Sequence, residues 1–237
     1  MLKDYLSNKD GKKSLLLIIG ILIVLVFVCL SGGTGNLDGY IASDADANIT
    51  KLLENISNNY SVKITKDDGL EQTSYNYLTD SNLTVVDEGD YSDKIYLVYK
   101  NNKYQMNIDN HKITKIKDIE SLNDKYTNIE LIKNIVNRCE FENVNDNNKE
   151  CNLKSKDFFD EYNSIYKTEY VPNEDEIKIN VIYYSKNIKN IIIDYTNVDK
   201  IIYKNDGTLK YSFEFSDINK NDFSEIINYY KKDFSKK

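Results

Sequence analysis

Residues 15–30, LLLIIGILIVLVFVCL, carry no charge and are interrupted only by Gly20, and this run constrains the chain more than any other feature. Together with Ser14 and the uncharged Ser31-Gly32-Gly33-Thr34 it forms a stretch of 21 residues, 14–34. As a helix rising ~1.5 Å per residue it would be about 31 Å long, matching a hydrocarbon core of roughly 30 Å. Lys3, Lys9, Lys12 and Lys13 precede it against Asp4 and Asp10, and the next cation is Lys51. The positive-inside rule then places residues 1–13 in the cytosol and the large C-terminal part outside the cell membrane, as a single-pass protein.

Two other readings of this segment stay open. A cleaved signal peptide prefers a shorter charged region and a small-residue cleavage site, for which Ser31-Gly32-Gly33 is the best candidate. A lipoprotein needs a small residue before its cysteine, whereas Val26-Phe27-Val28 precedes Cys29. The uncleaved anchor is favoured, with Cys29 as an apolar residue in lipid.

The 13 residues before the span cannot fold alone, so any activity belongs to the part outside. Net charge there is −9, the whole chain's −7 less the +2 of the tail. Acids outnumber bases 38 to 31, and Arg138 is the only Arg, which argues against a nucleic-acid binder dependent on clustered cations and Arg forks. One His, one Pro and three Cys exclude His-rich metal sites, Pro-rich segments and a dense disulfide scaffold.

Beyond a Gly/Ser/Thr linker over 35–42, an α+β domain is expected over 43–237. Ile49, Leu52, Leu53, Ile56 and Tyr60 make one helical stripe, with Ser43, Asp44 and Asp46 as caps and first-turn acids. Alternation then predicts strands around Val62 and Ile64 and over 74–78, 83–86, 95–99, 104–108 and 111–116. Their links are too short for parallel crossovers, so they form an antiparallel meander. Helices are predicted over 128–138 and after a Ser155 N-cap, and strands again over 177–184, 188–195, 200–203 and 209–216. Phe223, Ile226, Ile227, Tyr230 and Phe234 close the chain on one helical face. Helices are expected on one face of the sheet. One curved sheet and two halves, 43–118 and 155–237, both satisfy the pattern.

Candidate chemistry is sparse. Cys139 and Cys151 are the only cysteines outside the span, and either a disulfide closing the Asn-rich segment 140–150 or two free thiols fits them. Their spacing matches no zinc or C-x-x-C pattern. His111 beside Asp109-Asn110 reads as a turn residue, for no G-x-S-x-G, H-E-x-x-H, Walker A or G-x-G-x-x-G accompanies it. Asn143, Asn145 and Asn147 imitate alternate calcium ligands but lack the Gly and Glu of an EF-hand loop, and Lys154 stands at its twelfth place. Asp87, Asp90 and Asp93, and Glu174-Asp175-Glu176, read as solvated turns. Tyr75, Tyr77, Tyr96, Tyr99, Tyr104, Tyr183, Tyr184, Tyr195, Tyr203 and Tyr211 could line a ligand surface. The stronger reading gives them half-exposed sheet faces, which suit Tyr. No catalytic residue, cofactor or metal site is expected.

KKSLLLIIGILIVLVFVCLSGG at 12–33, followed by segments such as KNIIIDYTNVDKI (189–201) and LKYSFEFSDIN (209–219), resembles uncharacterised membrane-anchored extracytoplasmic proteins of AT-rich Gram-positive bacteria. Helix followed by a long antiparallel meander is also loosely similar to the half-barrel lipoprotein carriers of the LolA and LppX kind. That resemblance implies an apolar ligand cavity, although the lipobox is missing. The expectation is a non-enzymatic binding or scaffolding protein with residues 14–34 in the bilayer and an unknown protein or apolar ligand as partner. The alternative is a carrier or sensor of a lipid-like ligand in a sheet-lined cavity.

Overall fold

The computed structural model describes residues 48–56, 58–88, 94–184 and 187–235. The predicted span 14–34, the linker 35–42 and the caps Ser43, Asp44 and Asp46 lie outside them. Among the described residues no helix is long and apolar enough to cross a membrane.

Eleven antiparallel strands form one sheet: β1 (Tyr60–Asp67), β2 (Gln72–Thr79), β3 (Leu83–Asp87), β4 (Lys94–Tyr99), β5 (Asn102–Asn107), β6 (Ile113–Ile116), β7 (Glu142–Asn145), β8 (Asn148–Lys154), β9 (Glu176–Tyr184), β10 (Asn187–Asp194) and β11 (Lys210–Ser216). Their order across the sheet is β6-β5-β4-β3-β2-β1-β11-β10-β9-β8-β7. Two meanders therefore meet where β1 pairs with β11, from Ser61 opposite Ser216 to Asp67 opposite Lys210. The helices are α1 (Ile49–Glu54), α2 (Ile129–Asn137), α3 (Ser155–Tyr166), α4 (Thr196–Ile202), α5 (Ser224–Tyr229) and α6 (Lys231–Phe234), with 3-10 turns at Glu120–Asn123 and Lys125–Thr127.

Because side chains alternate along a strand, register assigns faces. Val62 lies opposite Tyr77 and Phe215, Ile64 opposite Tyr75 and Phe213, and Phe213 opposite Ile191, so all share one face. These residues belong to the main core, which also holds Leu52 and Leu53 of α1, Ile132, Ile135 and Val136 of α2, Phe158, Phe159 and Tyr162 of α3, and Val198 of α4. Leu78, Val85, Leu97 and Tyr104 pair in turn on the other face. There they form a separate core with Phe223, Ile226, Tyr230 and Phe234 of the C-terminal segment. The expectation of helices on one face is thus corrected, since α5 and α6 cover the opposite face of β2–β5. Consecutive buried residues such as Val85-Val86 are the reason, because a strand apolar on both sides must be covered on both.

Local corrections follow the same logic. The 200–203 strand is instead the end of α4, whose buried residues Val198, Asp199 and Ile202 recur at helical spacing after Tyr195. The Asn-rich segment 140–150 is the β7–β8 hairpin. Asn48, whose Oδ1 accepts from Lys51 N–H at 3.3 Å, caps α1, and that helix ends at Glu54. Ser155 is the first residue of α3 rather than its cap, and its N–H donates to Asp175 O at 3.0 Å.

Cys139, just after α2, is bonded to Cys151 of β8, with Cα atoms 5.9 Å apart and a sequence separation of 12. Closing a loop of this size restricts the unfolded chain by about 3 kcal/mol in the entropy model. Replacing both cysteines by alanine is expected to lower stability by that amount, measured as the urea midpoint multiplied by the denaturant slope. Adding reductant to the double variant should then change nothing further.

Candidate functional site

A half-open cleft lies beside the main core. A cavity of about 450 Å³ lies between the sheet and the segment crossing it. Its floor is Tyr60, Val62 and Ile64 of β1, Tyr77 and Thr79 of β2, Thr84 of β3, and Phe213 and Phe215 of β11. Leu122–Lys125, Thr127, Asn128, Ile129 and Ile132 form the roof, with Tyr166 of α3 beside them.

Polar tethers hold this roof above the apolar floor. The Asp118 carboxylate accepts from Ile119 N–H at 2.9 Å and Asn123 Nδ2 at 2.6 Å, and pairs with Lys103. The Lys103 hydrogen bond, then that of Asn123, pulls its acid constant down to about 2. Ser121 N–H donates to Glu88 Oε1 at 3.0 Å, while Tyr77 OH donates to Ser121 O at 3.1 Å. Asn128 Oδ1 accepts from Glu130 N–H at 2.9 Å and so starts α2, and Tyr166 OH donates to Lys125 O at 2.8 Å. The bond from Tyr77 OH to Ser121 O ties this segment to the floor, and buried Ile119, Tyr126 and Ile132 pack it into the main core.

A second cavity, of about 350 Å³, shares Asp124 with the first. Lys66, Asp68, Tyr126, Asp199, Tyr203, Asn205, Leu209 and Tyr211 complete its lining. Asp199 is only 3% exposed. Its Oδ1 accepts from Tyr126 OH and its Oδ2 from Asn205 Nδ2, both at 2.8 Å. Asp124 accepts from Tyr126 N–H at 3.0 Å and from Tyr211 OH. The Tyr126 ring stacks on Tyr195 at 4.5 Å and meets Tyr203 and Tyr211 at 6.0 and 5.9 Å. Burial first, and the neighbouring carboxylate second, push the Tyr126 and Tyr211 phenols well above the usual tyrosine range. Both are neutral donors at physiological pH, and they supply no nucleophile.

The tyrosines picked out by sequence divide sharply. Tyr77, Tyr104, Tyr183, Tyr195 and Tyr211 are buried, which corrects the half-exposed reading for them. Tyr75, Tyr96 and Tyr99 are half-buried, and Tyr184 and Tyr203 exposed. His111 stands in the β5–β6 hairpin with a φ of 54°. Asn145 Oδ1 accepts from Asn147 N–H at 3.1 Å, a turn bond within the β7–β8 hairpin. Asp90 and Asp93 lie outside the described residues. Among those residues no three His, Cys, Asp or Glu side chains are grouped so as to hold a metal ion.

Asp124, Tyr126 and Asp199 were not singled out from sequence. One signal was available: Tyr195, Val198, Asp199 and Ile202 form a helical stripe with a carboxylate in an apolar place. No protein-family model matches the chain, and the search of curated proteins finds no match.

Proposed function

We propose that the protein is a non-enzymatic binding protein anchored through residues 14–34, with its N-terminus cytosolic and its folded part outside the membrane. In this reading the folded part captures one small apolar or amphipathic ligand. The cavity under the 122–132 roof carries the proposal. Its volume of about 450 Å³ falls in the range of small-molecule sites, roughly 300–1,000 Å³. Its apolar floor and polar roof also match the usual make-up of such sites, many apolar side chains with a few oriented polar groups. This observation favours the carrier or sensor over a scaffold, because exposed large hydrophobics such as Leu70, Val144 and Val171 are scattered single residues among the described ones. The acid excess argues against nucleic acid as a partner.

Titration of full-length protein in nanodiscs of uncharged lipid with the neutral fluorophore N-phenyl-1-naphthylamine, after subtraction of empty nanodiscs, is expected to show saturable one-to-one binding. Thr84→Trp places a large ring on the floor at a half-buried position and should abolish that signal while leaving the thermal midpoint near wild type. Equal binding by a folded Thr84→Trp variant would reject the cavity as the site. Protease added to intact cells should digest the part beyond residue 34, and protection of that part would overturn the orientation.

A further inference from the structure

We infer that the ligand is an amphipathic organic cation, with its apolar body in the larger cavity and its ammonium head at Asp124, turned toward Asp199. The inference rests on the cavity reading above and adds the ligand's chemistry.

The two cavities share one wall residue, Asp124. On one side the floor is apolar, formed by Val62, Ile64, Phe213 and Phe215. On the other side stand Asp124 and Asp199, with Asp68 and Lys66 beside them, and the rings of Tyr126, Tyr203 and Tyr211. This is a polarity gradient across a few ångströms, and its charged end is negative.

The cations that line the two cavities are Lys66 and Lys125. The acceptor bonds of Asp199 come from a phenol and an amide, and those of Asp124 from a phenol and a backbone N–H. Neither carboxylate forms a salt bridge among the described residues. A carboxylate offers about four acceptor positions, so each retains unused lone pairs. Removing carboxylates from water without a cation is costly, and an arriving ammonium would relieve that cost. Tyrosine rings also attract a cation through their faces, as in the aromatic cages that hold quaternary ammonium groups. Lys66 and Asp68 line the same cavity. Asp68 Oδ1 accepts from the turn N–H groups of Glu71 and Leu70, at 3.1 and 3.0 Å, and after these bonds Lys66 helps hold the Asp68 pKa down. Lys66 forms no ion pair with Asp124 or Asp199, so it leaves their lone pairs open.

The test is displacement of N-phenyl-1-naphthylamine from full-length protein in the same nanodiscs by octylammonium, octanol and octanoate, which differ only in the head group. Octylammonium is expected to compete at a concentration about tenfold lower than octanol, with octanoate weakest. Asp124→Asn keeps an acceptor for Tyr126 N–H and lets Tyr211 OH accept instead, so it should erase the preference while preserving displacement by octanol. Tyr203→Leu, at a residue 55% exposed whose ring edge meets Tyr126, should weaken octylammonium while leaving displacement by octanol in place. Equal competition by octylammonium and octanol, with the fluorophore bound normally, would overturn the cation and leave the cavity reading standing. So would an unchanged preference in both variants. Failure of the fluorophore to bind would instead overturn the cavity reading and this inference with it.

Discussion

Replacing Phe158 with alanine is expected to destabilise the folded chain by about 3–5 kcal/mol, a large share of the roughly 5–15 kcal/mol that holds a domain together. Phe158 is fully buried in α3, with ring contacts to Phe159 at 5.2 Å, Tyr162 at 5.5 Å and Tyr195 at 5.9 Å. Removing the ring costs its transfer energy and leaves a void that neighbours on a helix and a sheet cannot fill by small shifts. Phe215→Ala removes the same ring from the cavity floor, where one side of the side chain already meets open space and fewer dispersion contacts are lost. It is therefore expected to fall at or below the lower end of the same range. Urea unfolding of both full-length variants, with unchanged denaturant slopes, measures the difference. If Phe215→Ala proved the costlier of the two, the floor beneath the cavity would be packed at least as tightly as the surroundings of Phe158.

Strand positions were largely legible because alternation survives in short segments bounded by turns. β1 to β5 lie within two residues of their expected places, and Asp67-Asp68-Gly69 ends β1 as its Asx geometry requires, with Gly69 N–H donating to Asp67 Oδ1 at 2.9 Å. The β7–β8 hairpin was not legible, since Glu142–Asn145 is exposed throughout and carries no burial pattern. α4 was misread because Asp199 breaks an apolar stripe, and an ionisable residue in a core position is what periodicity discards. The candidate site was hidden for the same reason. Its carboxylates and tyrosines come from the 3-10 segment, α4 and β11, and only the β1–β11 pairing brings those parts of the chain together. Periodicity reports which face is buried, but not which polar groups meet there or whether the space between layers is filled.

Between about pH 11 and 13 the protein is expected to unfold cooperatively as its buried tyrosines ionise. Tyr77, Tyr126, Tyr195 and Tyr211 are 7%, 3%, 0% and 1% exposed. Burial is the first cause raising each phenol above its ordinary value near 10. A group whose folded pKa exceeds its unfolded one stabilises the fold fully below the unfolded value and loses that contribution as pH climbs through the folded one. Each of these phenols therefore withdraws up to about 1.4 kcal/mol for every pH unit above 10, roughly 5–6 kcal/mol for these four. The buried phenols of Tyr162 and Tyr230, raised first by burial, add to that. Such a slope exhausts ordinary domain stability within one to three pH units. Phenolate absorbance should consequently rise in a steep phase that coincides with loss of near-ultraviolet circular dichroism. Tyr195 supplies a control, because its OH reaches only Tyr126 O, at 3.5 Å, and phenylalanine preserves the ring contacts. Tyr195→Phe should leave neutral-pH stability within about 1 kcal/mol of wild type and reduce the steepness of the alkaline transition by one phenol's share, up to about 1.4 kcal/mol per pH unit. Ionisation of all four phenols with tertiary signals intact would mean that water reaches them in the folded state, and the cluster around Tyr126 would then be a hydrated cleft instead of a core.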